Sequence, residues 1–167
     1  GVNYTYEAGS RFAVEGRAVI DCAVVLYNGV FHLYAPDNGV GENPGEPRYR
    51  FAADRPREGV GYHATSKDGL NFTRAADVQV EGRRRWLGNA QSDGKAITFY
   101  GTGEGLQTGG ASGQPRGGLW MATSTDGQTW KLAQNPPISG GDPGAVTTRD
   151  GGLLVVITGP PVRGAGR

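Results

Sequence analysis

The chain has 167 residues, with 17 Lys and Arg against 16 Asp and Glu, for a net charge of +1. That balance offers no basic field to a nucleic-acid backbone or an anionic membrane surface, so neither is expected as a partner. Thirty Gly and ten Pro without a collagen-like period point to a turn-rich, all-β protein.

The first element in chain order is DCAVVLYNGVFHLY, residues 21–34. Two apolar runs flank Asn28-Gly29, which is a strong hairpin signal. A strand–turn–strand corner follows, YHATSKDGLNFT at residues 62–73, turning at Asp68-Gly69. Both units then recur. WLGNAQSDGKAITFY (86–100) repeats the hairpin around Asp93-Gly94, and WMATSTDGQTWKL (120–132) repeats the corner around Asp126-Gly127. DPGAVTTRDGGLLVVI (142–157) opens a third round at Asp150-Gly151. Ser66 and Ser124 of the corners lie 58 residues apart (124 − 66). Self-similarity at such a period marks stacked supersecondary units. Two hairpins per period make about four strands, the anatomy of a β-propeller blade.

The expected fold is therefore all-β, a partial propeller of about two and a half four-stranded antiparallel blades. Blade one spans about 18–80, blade two about 84–135, and the start of blade three about 140–160. Residues 24–26 and 31–34 should pair, with 97–100 and 153–157 in the matching places. Ser66, Ser124 and the Asp that follows each should cap their own turns. Phe72 and Trp130 should be equivalent buried pins behind them. Long Gly- and Pro-containing stretches at 37–58 and 103–118 interrupt the two blades at matching places. Propellers close with four or more blades, so the chain is expected to be a piece of a longer protein, or one that completes a ring by assembling copies. Its first residue is Gly1 rather than Met. Its open blade edges invite self-association.

Three segments carry a family resemblance: Ile20-Asp21-Cys22-Ala23-Val24, then Gly29-Val30-Phe31-His32-Leu33-Tyr34, then the corner from Ala64 to Phe72. They resemble the five-bladed β-propeller glycoside hydrolases of the arabinanase/xylosidase, invertase and mannoside-phosphorylase type. The family's first segment usually reads Asp-Pro; Cys22 replaces that Pro here, and Asp142-Pro143 restores it in the third unit. The corner also resembles, less closely, the Asp-box of sialidases, which has one more residue between Asp and Gly.

Glycoside hydrolysis needs paired carboxyl groups flanking the scissile bond. Asp21 and Asp142 open the inner strands of units one and three. Either alone would cap the turn that leads into its strand; at equivalent places two blades apart they read as a functional pair. The resemblance implies that Asp21 matches the general base, and Asp142 the aspartate that orients and tunes the acid. It places the acid, a Glu, in a blade beyond Arg167. Glu46 and Glu104 on the long loops are the substitutes within the chain, though solvated loop carboxylates are their simpler reading.

Trp86 takes the Asp21 place in unit two, where an aromatic can stack on a sugar or simply fill a rim core. Asn89 on the same strand could hydrogen-bond a hydroxyl. Arg83, Arg84 and Arg85 could place one guanidinium toward a charged sugar or phosphate, but a solvated edge is their simpler reading. His32 and His63 are too few and too dispersed for a zinc site and read as structural. Asp68 and Asp126 are explained by their turns. No cofactor is expected.

The partner implied by the resemblance is carbohydrate, which suggests a secreted or periplasmic setting. No signal peptide is visible, and a lone Cys22 decides nothing about compartment. Two readings stand: a glycoside hydrolase or part of one, and a non-catalytic carbohydrate-binding or scaffolding propeller. Fold alone does not choose between them; a Glu on the inner strand of the next blade would.

Overall fold

The computed structural model describes residues 3, 5, 6, 8–40, 55–82, 84–103, 118–133 and 140–159. Among them every regular element is a β-strand and every strand pairing is antiparallel. Strands β1 (Ala23–Tyr27) and β2 (Val30–Pro36) close around Asn28 and Gly29, whose φ angles are 50° and 75°. Consecutive left-handed residues are what a tight two-residue hairpin demands, and Asn-Gly adopts them at least cost. Strand β3 (Val60–Ser66) pairs with β2. The outer strand is broken: β4 (Thr73–Arg74) pairs with one end of β3 and β5 (Val78–Gln79) with the other.

Blade two runs in simple order, β6 (Arg84–Ser92), β7 (Ile97–Gly103), β8 (Leu119–Ser124) and β9 (Lys131–Leu132). A last hairpin joins β10 (Gly141–Thr147) to β11 (Leu153–Thr158). The fold is thus a partial β-propeller of two blades and the inner half of a third. Strand β6 packs on β1 on one side and on β10 on the other, so the three inner strands stand side by side.

The strand period of two sets the core. Ala23, Val25 and Tyr27 of β1 and Tyr34 of β2 face blade two, where Trp86, Ala90, Ile97, Phe99, Trp120 and Ala122 meet them. The opposite face of blade one carries Leu33, Ala35 and Ala64 under Phe12, Val19 and Phe72. Val24 and Leu26 on that face stay about half exposed, as do Val146, Leu154 and Val156 on the far side of the third hairpin.

The two corners have the same hydrogen-bond pattern. Ser66 Oγ lies 2.8 Å from Asp68 Oδ1 and accepts from the Gly69 N–H at 3.0 Å, while Asp68 Oδ1 accepts from the Leu70 and Asn71 N–H groups at 2.9 and 2.8 Å. In blade two Ser124 Oγ lies 2.9 Å from Asp126 Oδ1 and accepts from Gly127 at 2.8 Å, and Asp126 accepts from Gln128 and Thr129 at 2.8 and 2.7 Å. These N–H donors hold both carboxyls well below the usual carboxylate range.

The aromatic pins differ from expectation. Both are half-buried, and each meets a different layer: Phe72 packs on Leu33, Ala35 and Ala64 of its own blade, Trp130 on the layer between blades one and two. They occupy equivalent places, but only blade two's has a preceding blade to pack on.

Two tryptophans are seated on glycines. A Cβ on Gly61 would overlap the Trp86 ring, and one on Gly101 the Trp120 ring. Trp120 cannot retreat: it is 1% exposed, and its indole N–H reaches the carbonyls of Arg85 and Thr102, each at 3.0 Å. Gly101→Ala should therefore destabilise the chain by about 1–3 kcal/mol, as overpacking does. Urea unfolding followed by tryptophan fluorescence measures this, and an unchanged midpoint would show that the ring can yield.

Candidate functional site

Asp21 and Asp142 lead into their strands through matching irregularities. Val19 bridges Asp37 and Ala23 pairs with Tyr34, so residues 20–22 stand opposite only 35–36. Gly141 pairs with Thr158 and Gly144 with Val156, so Asp142 and Pro143 stand opposite Ile157 alone. Each strand gains one residue there. At each bulge the aspartate takes a left-handed backbone, with φ of 42° at Asp21 and 47° at Asp142. Apart from turn residue Asn28, no other described non-glycine residue does so. Such a conformation costs an L-residue roughly 1–2 kcal/mol, least for Asp and Asn. Bulges beside functional sites re-aim side chains. Both aspartates are exposed.

A chain of hydrogen bonds runs between the two bulges. The Asp142 N–H donates to Thr102 Oγ1 at 2.8 Å, and Trp120 Nε1 bridges the carbonyls of Thr102 and Arg85. The Arg85 guanidinium donates to Asn38 Oδ1 at 2.8 Å, and the Asn38 N–H donates to the Ala18 carbonyl at 3.1 Å, three residues before Asp21. Arg85 is thus half-buried and spans two blades, where a solvated edge was expected. Arg83 lies outside the described residues, as do Glu46 and Glu104.

Trp86 is not at the channel mouth. Between Arg85–Thr102 and Gly88–Gly101 the register of β6 slips by two residues, where blade three slips by one. That larger slip turns Trp86 into the layer between blades. The residue is 0% exposed, its indole N–H donates to the Gly59 carbonyl at 3.0 Å, and Tyr34, Phe99, Trp120 and Trp130 surround it at ring-centroid distances of 4.7–5.7 Å. No ring face is left for a sugar, so the stacking expectation is replaced by a core role. Asn89 lies on the same inner strand opposite Tyr100, half-buried, and its Oδ1 is buried without a hydrogen-bond partner.

Sequence reading missed Thr102 and Asp37. Asp37, 3% exposed, accepts from the Gly39 N–H at 2.9 Å and lies 3.5 Å from Arg57 Nε. It bridges Val19 and so fixes the segment that delivers Asp21. Neither residue sits in a motif, so pairing alone reveals them. Among the described residues no group of three or more His, Cys, Asp or Glu converges as metal ligands.

No known protein family and no curated protein matches the sequence. Solved structures match the fold. A GH32 beta-fructofuranosidase of Bombyx mori aligns with a TM-score of 0.61 and 18% identity over 83% of this chain and 29% of its own. Fructan 1-exohydrolase IIa from Cichorium intybus aligns with a TM-score of 0.61 and 20% identity over 91% of this chain and 29% of its own. Exo-inulinase from Aspergillus awamori gives 0.56 and 17% over 87% and 34%. Their catalytic domains are five-bladed β-propellers. The chain has the fold of part of such a domain and spans about a third of each protein. None of these three is named as a sialidase.

Proposed function

We propose that this chain is part of a glycoside hydrolase propeller in which Asp21 and Asp142 serve as channel-mouth carboxylates. The observation that carries the reading is the shared left-handed aspartate on a one-residue bulge at the start of β1 and of β10. A turn cap does not require that conformation. Strained backbone at two equivalent positions supports selection for where the carboxylates point. Asp21 acts as base or nucleophile, and Asp142 orients and tunes the acid. Thr102 fixes the backbone of Asp142. Asn89, on the inner strand β6, is the residue assigned to hydrogen-bond a sugar hydroxyl.

The acid is the third group that this reading requires. Among the described residues none of Glu15, Glu58 and Glu81 opens an inner strand. That observation favours the second reading, a carbohydrate-binding propeller without turnover, for the chain taken alone. The substrate class proposed first is fructosides, since the structures above are named for them; arabinosides, xylosides and sialosides complete the panel.

The test is hydrolysis of that panel by a protein carrying this chain together with the remaining blades. Release of sugar from one class supports the enzyme reading. Saturable binding without release, by calorimetry, supports the second. The 167-residue chain alone should show no turnover, because positioned acid–base groups contribute about 10²–10⁴-fold and no glutamate among the described residues opens an inner strand; turnover by the chain alone would point to Glu46 or Glu104 as the acid.

A further inference from the structure

The chain has two histidines, and the fold stacks them. His32 on β2 and His63 on β3 are diagonal neighbours on the face of blade one that meets blade two. Their rings lie 5.3 Å apart and nearly parallel, and His32 Nδ1 is 3.1 Å from His63 Nε2. His63 Nδ1 is 3.0 Å from Gln128 Oε1, in the corner of blade two. The direction of this relay follows from its far end. Gln128 Nε2 donates to the carbonyls of Ala76 and Asp77, each at 3.1 Å, which leaves Oε1 as the acceptor toward His63. His63 must then carry its proton on Nδ1, and its bare Nε2 must accept from His32 Nδ1–H. Both rings are neutral in this arrangement. Protonating both rings places an N–H on each of the facing nitrogens and breaks the link.

The surroundings offer a second proton little compensation. His32 is 8% exposed and His63 2%. Tyr27 and Tyr34 face the pair, and Tyr34 Oη donates to the Gly127 carbonyl at 2.8 Å. The carboxylate acting on the pair is Asp126, whose Oδ1 is already committed to the Gln128 and Thr129 N–H groups. The Gly127 backbone lies directly against the His32 ring. Corner 124–129 of blade two is thus docked on blade one through these imidazoles, with Tyr27 Oη reaching the Thr125 carbonyl at 3.0 Å beside them.

We propose that the His32–His63 pair is an acid-sensitive latch between blades one and two, closed when both rings are neutral and released once both are protonated. Burial, with His63 acting on His32 as well, lowers both imidazoles from 6.5; at His63 the hydrogen bonds to Gln128 and the Ala76 backbone work against this, and Asp126 does so at both. The unfolded chain takes up protons near pH 6.5 while the folded chain resists. Stability is therefore complete above about 6.5 and falls as pH drops from there toward the lower folded values. Below that window the pair causes no further fall. The latch does not depend on the hydrolase reading.

The test uses the full 167-residue chain. Imidazole resonances in its NMR spectrum come from these two residues alone, and all three tryptophans lie in the layer between the blades. Both rings should appear as Nδ1–H tautomers and titrate below 6.5. Urea unfolding followed by tryptophan fluorescence should give an unfolding constant that rises about 25-fold from pH 7 to 5 if one ring resists protonation, and about 600-fold if both do. Carboxylates with ordinary unfolded values near 3.8 do not contribute in that range. The His32→Gln/His63→Gln double variant should flatten the dependence. Native rings titrating at 6.5, an unfolding constant that is flat between pH 7 and 5, or a double variant that keeps the acid sensitivity would each overturn the proposal. If the double variant does not fold, the wild-type titration and tautomers decide.

Discussion

Trp86→Ala should cost about 3–5 kcal/mol of unfolding free energy, the upper range for a buried aromatic. Trp86 has no exposed surface, and its ring contacts Tyr34 of blade one together with Phe99, Trp120 and Trp130 of blade two. The layer cannot collapse to fill the space. Trp120 is tied to two carbonyls, and Gly61 contributes no side chain to move in. The variant also leaves the Gly59 carbonyl without its indole donor. A domain is typically stable by about 5–15 kcal/mol, so this single loss consumes a large share. Trp86→Phe should recover more than half of it, since the aromatic contacts persist and only the hydrogen bond and part of the volume go. Denaturant midpoints of the two variants measure this. A loss below about 1 kcal/mol for Trp86→Ala would mean that the indole is not packed between the blades, and would make it a sugar-stacking candidate again.

The contrast between Trp86 and the hairpins shows what a string of residues can and cannot reveal. Asn28-Gly29 announces its hairpin because two left-handed residues are needed and few pairs supply them. Ser66, Asp68 and their counterparts announce the corners for a similar local reason: every bond in them lies within three residues. The equivalence of Asp21 and Asp142 was legible too, through the hairpins that follow them. Trp86 occupies the same place by turn spacing, yet a two-residue slip in the β6–β7 register decides which way it faces. Register of that kind depends on the partner strand. In the broken outer strand of blade one, Asp77, between β4 and β5, pairs with its near neighbour Arg74 and with the distant Arg57, each at 2.7 Å, and the second partner comes only from the fold. Likewise His32 and His63 lie 31 residues apart and meet only through the β2–β3 pairing. Dispersed in sequence, they gave no sign of a pair.

The second large effect is expected at the two aspartates, and asparagine is the substitution that isolates it. Asp21 and Asp142 sit at φ of 42° and 47°. Alanine there would add left-handed strain of roughly 1–2 kcal/mol and confuse folding with chemistry. Asparagine adopts the same backbone readily, so it removes the charge and leaves the bulge. In a protein carrying this chain and the remaining blades, Asp21→Asn should lower kcat by about 10²–10⁴-fold with thermal stability nearly unchanged, as expected for loss of a base or nucleophile. Asp142→Asn should lower kcat and also reshape its pH profile. Removing a negative charge near the acid lowers the acid's pKa, so the alkaline limb of kcat should move to lower pH. Thr102→Val, which strips the acceptor from the Asp142 N–H, should shift the profile in part, and Thr102→Ser should restore it. Full turnover in Asp21→Asn would remove Asp21 from the chemistry. An Asp142→Asn enzyme with an unshifted alkaline limb would leave the second aspartate as a structural residue of the bulge.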